Sequence, residues 1–493
     1  MEQSHVNQEQ PTPKLYRMVW RWHFYAGLLF APILIILAVT GAVYLFKPQY
    51  EAWQYKDYMH VQAAGDKLSA SEQVARVKTH YPDASVTRFK PGAEPELASV
   101  VGIVRQGEPV TVFVNPYSGA VTGEVADNHT FMKLVKTLHG SIMMGTTGNR
   151  IIELAAGWGM ILLVTGLYLW WPRSGNKVMG VWLPRLNQGK RIFWRDLHAV
   201  PAMWMAVGVA LLIMTGLPWS GVWGDGLSKF SAATGTGTPA LLFMKPQSAM
   251  PTKDVAEVPW AAEQLPVPTS DRAAASTNTG HDGHAPTSGQ AKSAGDHHGE
   301  HGGATGASTG STGKPLAPVV PLEDIVKLAE EQRFQEPYTV TLPKGELGVY
   351  TIAVNASVPE NGATLHIDQY SGNVLADLRF ADYGILGKMV SIGIALHEGR
   401  YFGTANQIIC LLLCLGLILT SVTGAVMWWR RRPAGKLGAP AAQRGGRVLK
   451  GTAVIVAAFG IFFPLVGLSI LAALLIDVLL VQRVGAVKRY LGA

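Results

Sequence analysis

The chain has 493 residues, of which 48% are hydrophobic and 15% are charged, so it is more apolar and less charged than a typical soluble protein. Its formal net charge is +8, but no nucleic-acid partner is needed to explain it, because the basic residues cluster beside apolar runs, as they do at membrane boundaries. Each run is about as long as the ~20 residues that a helix needs to cross a bilayer. The five runs are Trp22 to Phe46, Ile151 to Trp171, Val200 to Trp223, Ile408 to Trp429 and Ala453 to Val481. We therefore expect a polytopic membrane protein whose spans contact lipid.

The basic clusters lie before the first run and after the second and fourth runs, and the positive-inside rule makes that side cytoplasmic. The first run is too long for a signal peptide, so we expect a retained anchor. The fifth run is predicted to be a helix kinked at Pro464. The predicted segments are a cytoplasmic N-terminus (1–21), a first span (22–46), an exported module (47–149), a second span (150–171), a basic cytoplasmic loop (172–197), a third span (198–223), an exported segment (224–263), a disordered linker (264–318), a second exported module (319–406), a fourth span (407–429), a second basic loop (430–450), a fifth span (451–481) and a tail (482–493).

The two exported modules have the same predicted order of elements, a helix followed by antiparallel strands and a closing Tyr-Ser-Gly turn. The first has a helix over 69–80, strands over 85–89, 99–105 and 110–115, and a turn at 116–119. The second has a helix over 321–331, strands over 338–342, 349–354 and 364–368, and a turn at 369–372. Both patterns predict a small α+β module. Their shared order favours an internal duplication of span, module, histidine and span.

The linker predicted over 264–318 is dominated by Gly, Ser, Thr, Ala and Pro, so it has too little apolar surface to offset the entropy of folding. It contains five histidines near acidic residues, namely His281, His284, His297, His298 and His301. A flexible tract of this kind can bind Cu(II), Ni(II) or Zn(II) weakly in the exported compartment. The alternative is a linker in which the histidines are incidental.

Four other histidines occur at matched spacings in the two halves of the chain. His23 precedes Thr40-Gly41 by 17 residues, and His198 precedes Thr215-Gly216 by the same distance. His139 and His397 each precede a Thr-Gly pair, Thr165-Gly166 and Thr423-Gly424, by 26 residues. Histidines in or beside membrane spans are costly, and they are functional-site candidates by default.

Alternation of the spans assigns these histidines to opposite membrane surfaces. His23 and His198 open spans at the cytoplasmic side, and His139 and His397 precede spans at the exported side. Neutral imidazoles on facing helices are axial ligands of b-type haem iron, and helical bundles commonly hold such a cofactor. The pattern therefore predicts two haem sites, one for each pair of histidines.

Four glycines are predicted to give a flat macrocycle access to the backbone of the spans. Gly41 and Gly216 are expected level with the exported pair, and Gly166 and Gly424 level with the cytoplasmic pair. Ordinary packing of small residues between helices is the alternative. The 26-residue spacing would cover about 39 Å as one helix. A break near Gly145 and Gly148, and near Gly403 in the other half, is therefore expected to fold each histidine segment back.

The chain resembles the PepSY-associated transmembrane proteins over nearly its whole length outside the linker. The resemblance rests on the WRWHFYAGLLF opening at 20–30, KLVKTLHGSIMMG at 133–145, WRDLHAV at 194–200, LHEGRYFG at 396–403 and the two small modules. It implies a bacterial inner-membrane protein with periplasmic PepSY modules. In the iron-regulated ferric-siderophore reductases of the family, it also implies intramembrane haem held at positions matching His23, His139, His198 and His397.

These observations lead to one principal hypothesis and two alternatives. The principal hypothesis is a two-haem enzyme that carries electrons from quinol, a flavoprotein or a ferredoxin to a periplasmic Fe(III) complex, expected to be a ferric siderophore. The first alternative is a non-enzymatic PepSY binding or inhibitory module on a membrane anchor. The second is a protein that handles or transports periplasmic copper or iron.

Overall fold

The computed structural model describes residues 14–172, 178–237, 247–272, 319–433, 436–437, 457–481, 483–485 and 487. Its α-helices are α1 (Lys14–Tyr44), α2 (Lys47–Gln54), α3 (Lys56–Met59), α4 (Ala70–His80), α5 (Phe131–Ser141), α6 (Gly145–Trp170), α7 (Gly189–Gly216), α8 (Val222–Thr234), α9 (Trp260–Glu263), α10 (Leu322–Glu331), α11 (Ile385–His397), α12 (Thr404–Arg431) and α13 (Pro464–Ile476). Its strands are β1 (Ser85–Lys90), β2 (Ser99–Arg105), β3 (Glu108–Val114), β4 (Val121–Ala126), β5 (Gln247–Pro251), β6 (Pro266–Pro268), β7 (Thr339–Thr341), β8 (Val349–Val354), β9 (Ala363–Asp368) and β10 (Val374–Arg379).

Within the described residues, five helical segments are long and apolar enough to cross a membrane: α1, α6, α7, α12, and α13 with the turn that follows it. Four of them form a closed ring, because α1 and α7 each pack against both α6 and α12. Helices α1 and α7 therefore stand diagonally opposite each other. Helix α13 lies outside the ring against α6 and α8. The short helix α5 packs on α1 and α6, and α11 packs on α7.

The third and fifth spans differ from their predicted bounds. Helix α7 begins at Gly189 and ends at Gly216 rather than covering 198–223, so the end of the predicted basic loop is helical. A short 3-10 turn follows at Leu217–Trp219, because Pro218 has no N–H with which to continue the helix. In the fifth span, the helical residues 457–462 are interrupted at Phe463, and α13 begins at Pro464. Proline is well suited to the first position of a helix.

The two modules predicted as separate units share one antiparallel sheet. Its strand order is β10-β9-β8-β7-β1-β2-β3-β4, and the modules join where β1 pairs with β7. Helices α4 and α10 contribute Val77 and Ile325 to a common core with Val101, Ile352 and other buried strand residues. Most predicted strands agree with the structure, but β4 and β10 were missed. The two modules therefore share a single hydrophobic core.

Local signals explain where the elements of the first module begin and turn. Ser69 and Glu72 form a reciprocal capping box at the start of α4, where the sequence predicted a helix. The β2–β3 hairpin turns at Gln106 and Gly107, with φ values of 54° and 82°. A two-residue hairpin turn with both central residues in the left-handed region matches the twist of the flanking strands.

The linker predicted to be disordered from residue 264 is ordered over its first nine residues, 264–272. Strand β6 pairs with β5, and Val267 is buried. The side chain of Ser270 accepts a hydrogen bond from the backbone N–H of Gln369 at 3.0 Å, which anchors this segment to the end of β9. The five linker histidines, from His281 to His301, and the rest of the linker lie outside the described residues.

Candidate functional site

The first histidine pair lies between the diagonally opposite helices α1 and α7. The ring centroids of His23 and His198 are 6.4 Å apart, and the ring planes are 85° apart. Both rings are half-buried. This pair is called the basic-end pair, because Lys190, Arg191 and Arg195 lie within the first turns of α7 near His198.

The second pair lies at the opposite end of the bundle, next to the sheet. The ring centroids of His139 and His397 are 6.2 Å apart, with 68° between the ring planes. These residues come from the short helices α5 and α11 rather than from the spans themselves. This is called the sheet-end pair. The structure thus brings together the same two pairs that the spacing predicted.

The sheet-end pair forms because the chain reverses after each short helix. Helix α5 ends at Ser141, and Ile142 and Met143 have φ values of 42° and 60° before α6 begins at Gly145. A β-branched residue in this region is strained. Gly148 lets the two helices approach closely, since a Cβ there would overlap the carbonyl oxygen of Ser141. The break near Gly145 was predicted. The non-glycine residues that adopt left-handed backbone angles in this turn are Ile142 and Met143.

The second reversal uses glycines. Helix α11 ends at His397, and α12 begins at Thr404. Between them, Gly399 and Gly403 have φ values of 73° and 57°, a region that glycine enters without steric cost. The break predicted at Gly403 is therefore present, with a second left-handed glycine four residues earlier.

Each histidine is held by a threonine on a neighbouring helix. Nδ1 of His23 lies 2.9 Å from Oγ1 of Thr165, and Nδ1 of His139 lies 3.0 Å from Oγ1 of Thr40. These threonines donate their only hydroxyl hydrogen to helix carbonyls four residues earlier. The hydroxyl oxygens must therefore accept from the imidazoles, so Nδ1 carries the proton in both rings.

The other two histidines reach the same tautomer through backbone carbonyls. Nδ1 of His198 donates to the carbonyl of Thr420, and Nδ1 of His397 donates to that of Leu212, each at 2.9 Å. Thr423 and Thr215 also contact these Nδ1 atoms, at 3.4 and 3.3 Å. Within the described residues, all hydrogen bonds of the four rings use Nδ1. Nε2 of each ring is left as a lone-pair donor.

The four predicted glycines lie directly against the imidazoles. An added Cβ would stand close to Cε1 of one histidine in every case: Gly41 at 3.3 Å from His139, Gly166 at 3.2 Å from His23, Gly216 at 2.9 Å from His397, and Gly424 at 3.3 Å from His198. The glycines are level with the pairs that the sequence assigned to them. The lack of a side chain at these positions leaves room for the histidine rings, and access of a macrocycle to the backbone stays a prediction. The unit that supports each ring is called a Thr-Gly seat.

Comparison with known families identifies the family of the chain. Residues 20–431 match the family described as the PepSY-associated TM region. The chain belongs to this family. A search of curated proteins finds no match.

The match to the PepSY-associated TM region includes all four histidines and all four Thr-Gly seats, whereas α13 lies beyond it. Two independent histidine pairs therefore fall within the part of the chain that defines the family. The resemblance noted from the sequence motifs is confirmed.

Each pair of this PepSY-associated TM protein offers two imidazole nitrogens, a donor set that fits a haem iron held by two histidines. Within the described residues there is no group of three or more His, Cys, Asp and Glu side chains placed to hold a metal ion.

Two buried acids that sequence reasoning missed organise the ends of the bundle. Asp196 is fully buried and accepts hydrogen bonds from Arg185 and Arg195, at 2.8 and 2.6 Å. These arginines of the predicted basic loop are therefore paired within the chain. At the sheet end, Glu153 caps α8 by accepting from the backbone N–H groups of Val222 and Trp223, at 2.8 and 3.0 Å.

Proposed function

We propose that the protein binds two b-type haems, one at the basic-end pair and one at the sheet-end pair. The observation that carries this proposal is that the Nδ1 of all four histidines is engaged by the surrounding helices. Such bonds fix the tautomer and the orientation of a metal-ligating imidazole. Each haem would supply one-electron chemistry at its iron, and the paired histidines would hold it.

The ring separations fit this proposal. A bond between a divalent metal and an imidazole nitrogen is about 2 Å long, so two histidines that hold one iron must lie close together. The ring centroids are 6.4 Å apart in the basic-end pair and 6.2 Å apart in the sheet-end pair, which would let both members of each pair hold the same group.

The two sites are related by rigid helices. Helix α1 carries the ligand His23 and the seat Thr40-Gly41, and α7 carries His198 and Thr215-Gly216. The spacing of 17 residues corresponds to about 25 Å along a helix. The two proposed sites would therefore lie near opposite surfaces of a bilayer with a hydrocarbon core of about 30 Å, at a distance set by α1 and α7.

The charge distribution supports a proposed direction of electron flow. Basic residues flank the spans at one end, which we assign to the cytoplasm by the positive-inside rule. The shared sheet, interpreted as two PepSY modules, is then periplasmic. Electrons would enter at the basic-end pair from a quinol, or from a reduced flavoprotein or ferredoxin, and leave at the sheet-end pair. The proposed acceptor is an Fe(III) complex such as a ferric siderophore. One electron converts it to Fe(II), whose weaker hold on oxygen ligands releases the iron.

The visible spectrum of the purified protein tests this function. We expect a Soret band, with α and β bands after dithionite reduction, at about two haems per chain. His23→Ala and His139→Ala should each remove one haem, and His60→Ala, which changes an exposed histidine outside both pairs, should remove none. Proteoliposomes supplied with an internal reductant should then reduce an external Fe(III) chelate. Colourless protein from haem-replete cells would overturn the proposal.

A further inference from the structure

Asn406 joins the start of α12 to the end of the helix that carries His397. Its side chain is 5% exposed, and its amide nitrogen donates to the carbonyl of Leu396 at 3.0 Å. The thiol of Cys410, one turn later, donates to the same carbonyl at 3.4 Å. Asn406 and Cys410 are also in contact with each other, at 3.3 Å. A single carbonyl thus receives two side-chain donors from the adjoining span.

This carbonyl belongs to the peptide group that leads into His397. A peptide group is planar, so fixing the C=O of Leu396 also fixes the backbone nitrogen of His397 and limits the direction of its side chain. His397 is the last residue of α11, and the Leu396 carbonyl also accepts the backbone N–H of Gly399 at 3.1 Å, a bond of the turn that follows the helix. Asn406 and Cys410 add contacts from α12 to this carbonyl, and together they form a clamp that ties the end of α11 to that helix.

The other ligands depend less on such a clamp. His23 and His198 lie inside the long helices α1 and α7, whose own hydrogen bonds hold the backbone. Near His139, Asn149 donates to the carbonyl of Gly140 at 3.2 Å. That carbonyl follows the histidine instead of preceding it, and Asn149 is less buried than Asn406. His397 is thus the ligand whose orientation depends most on a side chain from another helix.

We propose that Asn406, assisted by Cys410, is a positioning residue that sets the orientation of His397 in the sheet-end pair. The inference rests on the proposed function, because orientation of the imidazole matters only if His397 is a ligand. A positioned ligand must be held within about 0.5 Å and 10–20° of its working geometry. Loss of the clamp should therefore alter the angle between the ligand planes and weaken haem binding at this pair alone.

The test uses the full-length protein with one site silenced at a time. In a His23→Ala background the remaining haem reports the sheet-end pair, and in a His139→Ala background it reports the basic-end pair. Asn406→Ala is expected to shift the low-spin electron paramagnetic resonance signal and the midpoint potential in the first background only. It should also lower haem affinity there by about 10-fold, as loss of a supporting contact does at other metal sites.

Two further variants separate positioning from folding. Cys410→Ala should give a smaller shift in the same direction, and Cys410→Ser, which keeps a donor, should restore the parental signal. Asn149→Ala is the matched control and should move the signal less than Asn406→Ala.

Unchanged signals in Asn406→Ala and Cys410→Ala would overturn the inference while leaving two haems in place. Equal changes in both backgrounds, with a lower melting temperature, would show a structural role only and would also overturn it. Absence of haem from the parental protein would overturn the proposed function itself.

Discussion

Replacing Gly216 by alanine should displace the ring of His397, which packs on Gly216, without destabilising α7. The added Cβ would lie 2.9 Å from Cε1 of His397, about 0.6 Å short of the ~3.5 Å at which carbon atoms make good contact. The ring must therefore move by roughly the 0.5 Å that a ligand site tolerates. Alanine favours a helix over glycine by about 1 kcal/mol. We expect the melting temperature to hold or rise while haem affinity at the sheet-end pair falls about 10-fold.

The measurement is haem per chain from reduced-minus-oxidised spectra, with thermal melting followed by circular dichroism. Gly140→Ala is the matched control, because it lies next to His139 but an added Cβ there has no atom within 4 Å. Gly424→Ala should have the opposite effect and lower haem affinity only at the basic-end pair, since its Cβ would lie 3.3 Å from Cε1 of His198. Full haem content in Gly216→Ala, or an equal loss in Gly140→Ala, would refute the reasoning.

Three other changes have expected outcomes. Thr165→Val keeps the shape of the seat but removes the acceptor for His23, so haem affinity at the basic-end pair should fall by about 10–100-fold in a spectral titration. Asp196→Ala removes a fully buried carboxylate and leaves the mostly buried Arg185 without this partner, and thermal melting should show a loss of about 3 kcal/mol. Burial lowers the pKa of His366 to about 4, so the folded state binds fewer protons than the unfolded chain between pH ~6.5 and 4. As the pH falls from about 6.5 to about 4, the free energy of unfolding should therefore decrease by about 3 kcal/mol. His366→Gln should flatten this pH dependence.

The sequence was sufficient to predict which histidines face each other, because equal spacings in two halves place equivalent residues at equivalent depths. The role of the threonines was harder to predict from the sequence. A helical threonine such as Thr40 ordinarily bonds to its own helix, and it does so here. Its second interaction, with His139, depends on how α5 folds back onto α1. Tertiary packing also places the four glycines against the imidazoles, a contact that the spacing did not predict.

Long-range pairing limited what could be predicted of the sheet. Strand β4 alternates weakly and carries Glu124, and β10 carries Asp377 and Arg379. Such polar strands lack the alternation of apolar residues that predicts a strand. They form here by pairing with the outer strands of the sheet, β3 and β9. The union of the two modules depends on β1 pairing with the three-residue strand β7. A strand of three residues is too short for its pattern of apolar and polar residues to indicate which strand it pairs with.

The positions of the Thr-Gly seats explain why two spacings recur. Each seat supports a histidine from its own half of the chain: residues 14–170 provide the seats for His23 and His139, and residues 189–431 provide those for His198 and His397. The histidine pairs, in contrast, cross between the halves. Each half therefore orients one histidine at each end of the bundle and completes neither pair. Two histidines meet only when the halves pack, so both pairs lie on the interface between them, and the proposed haem binding would stabilise that interface by mass action.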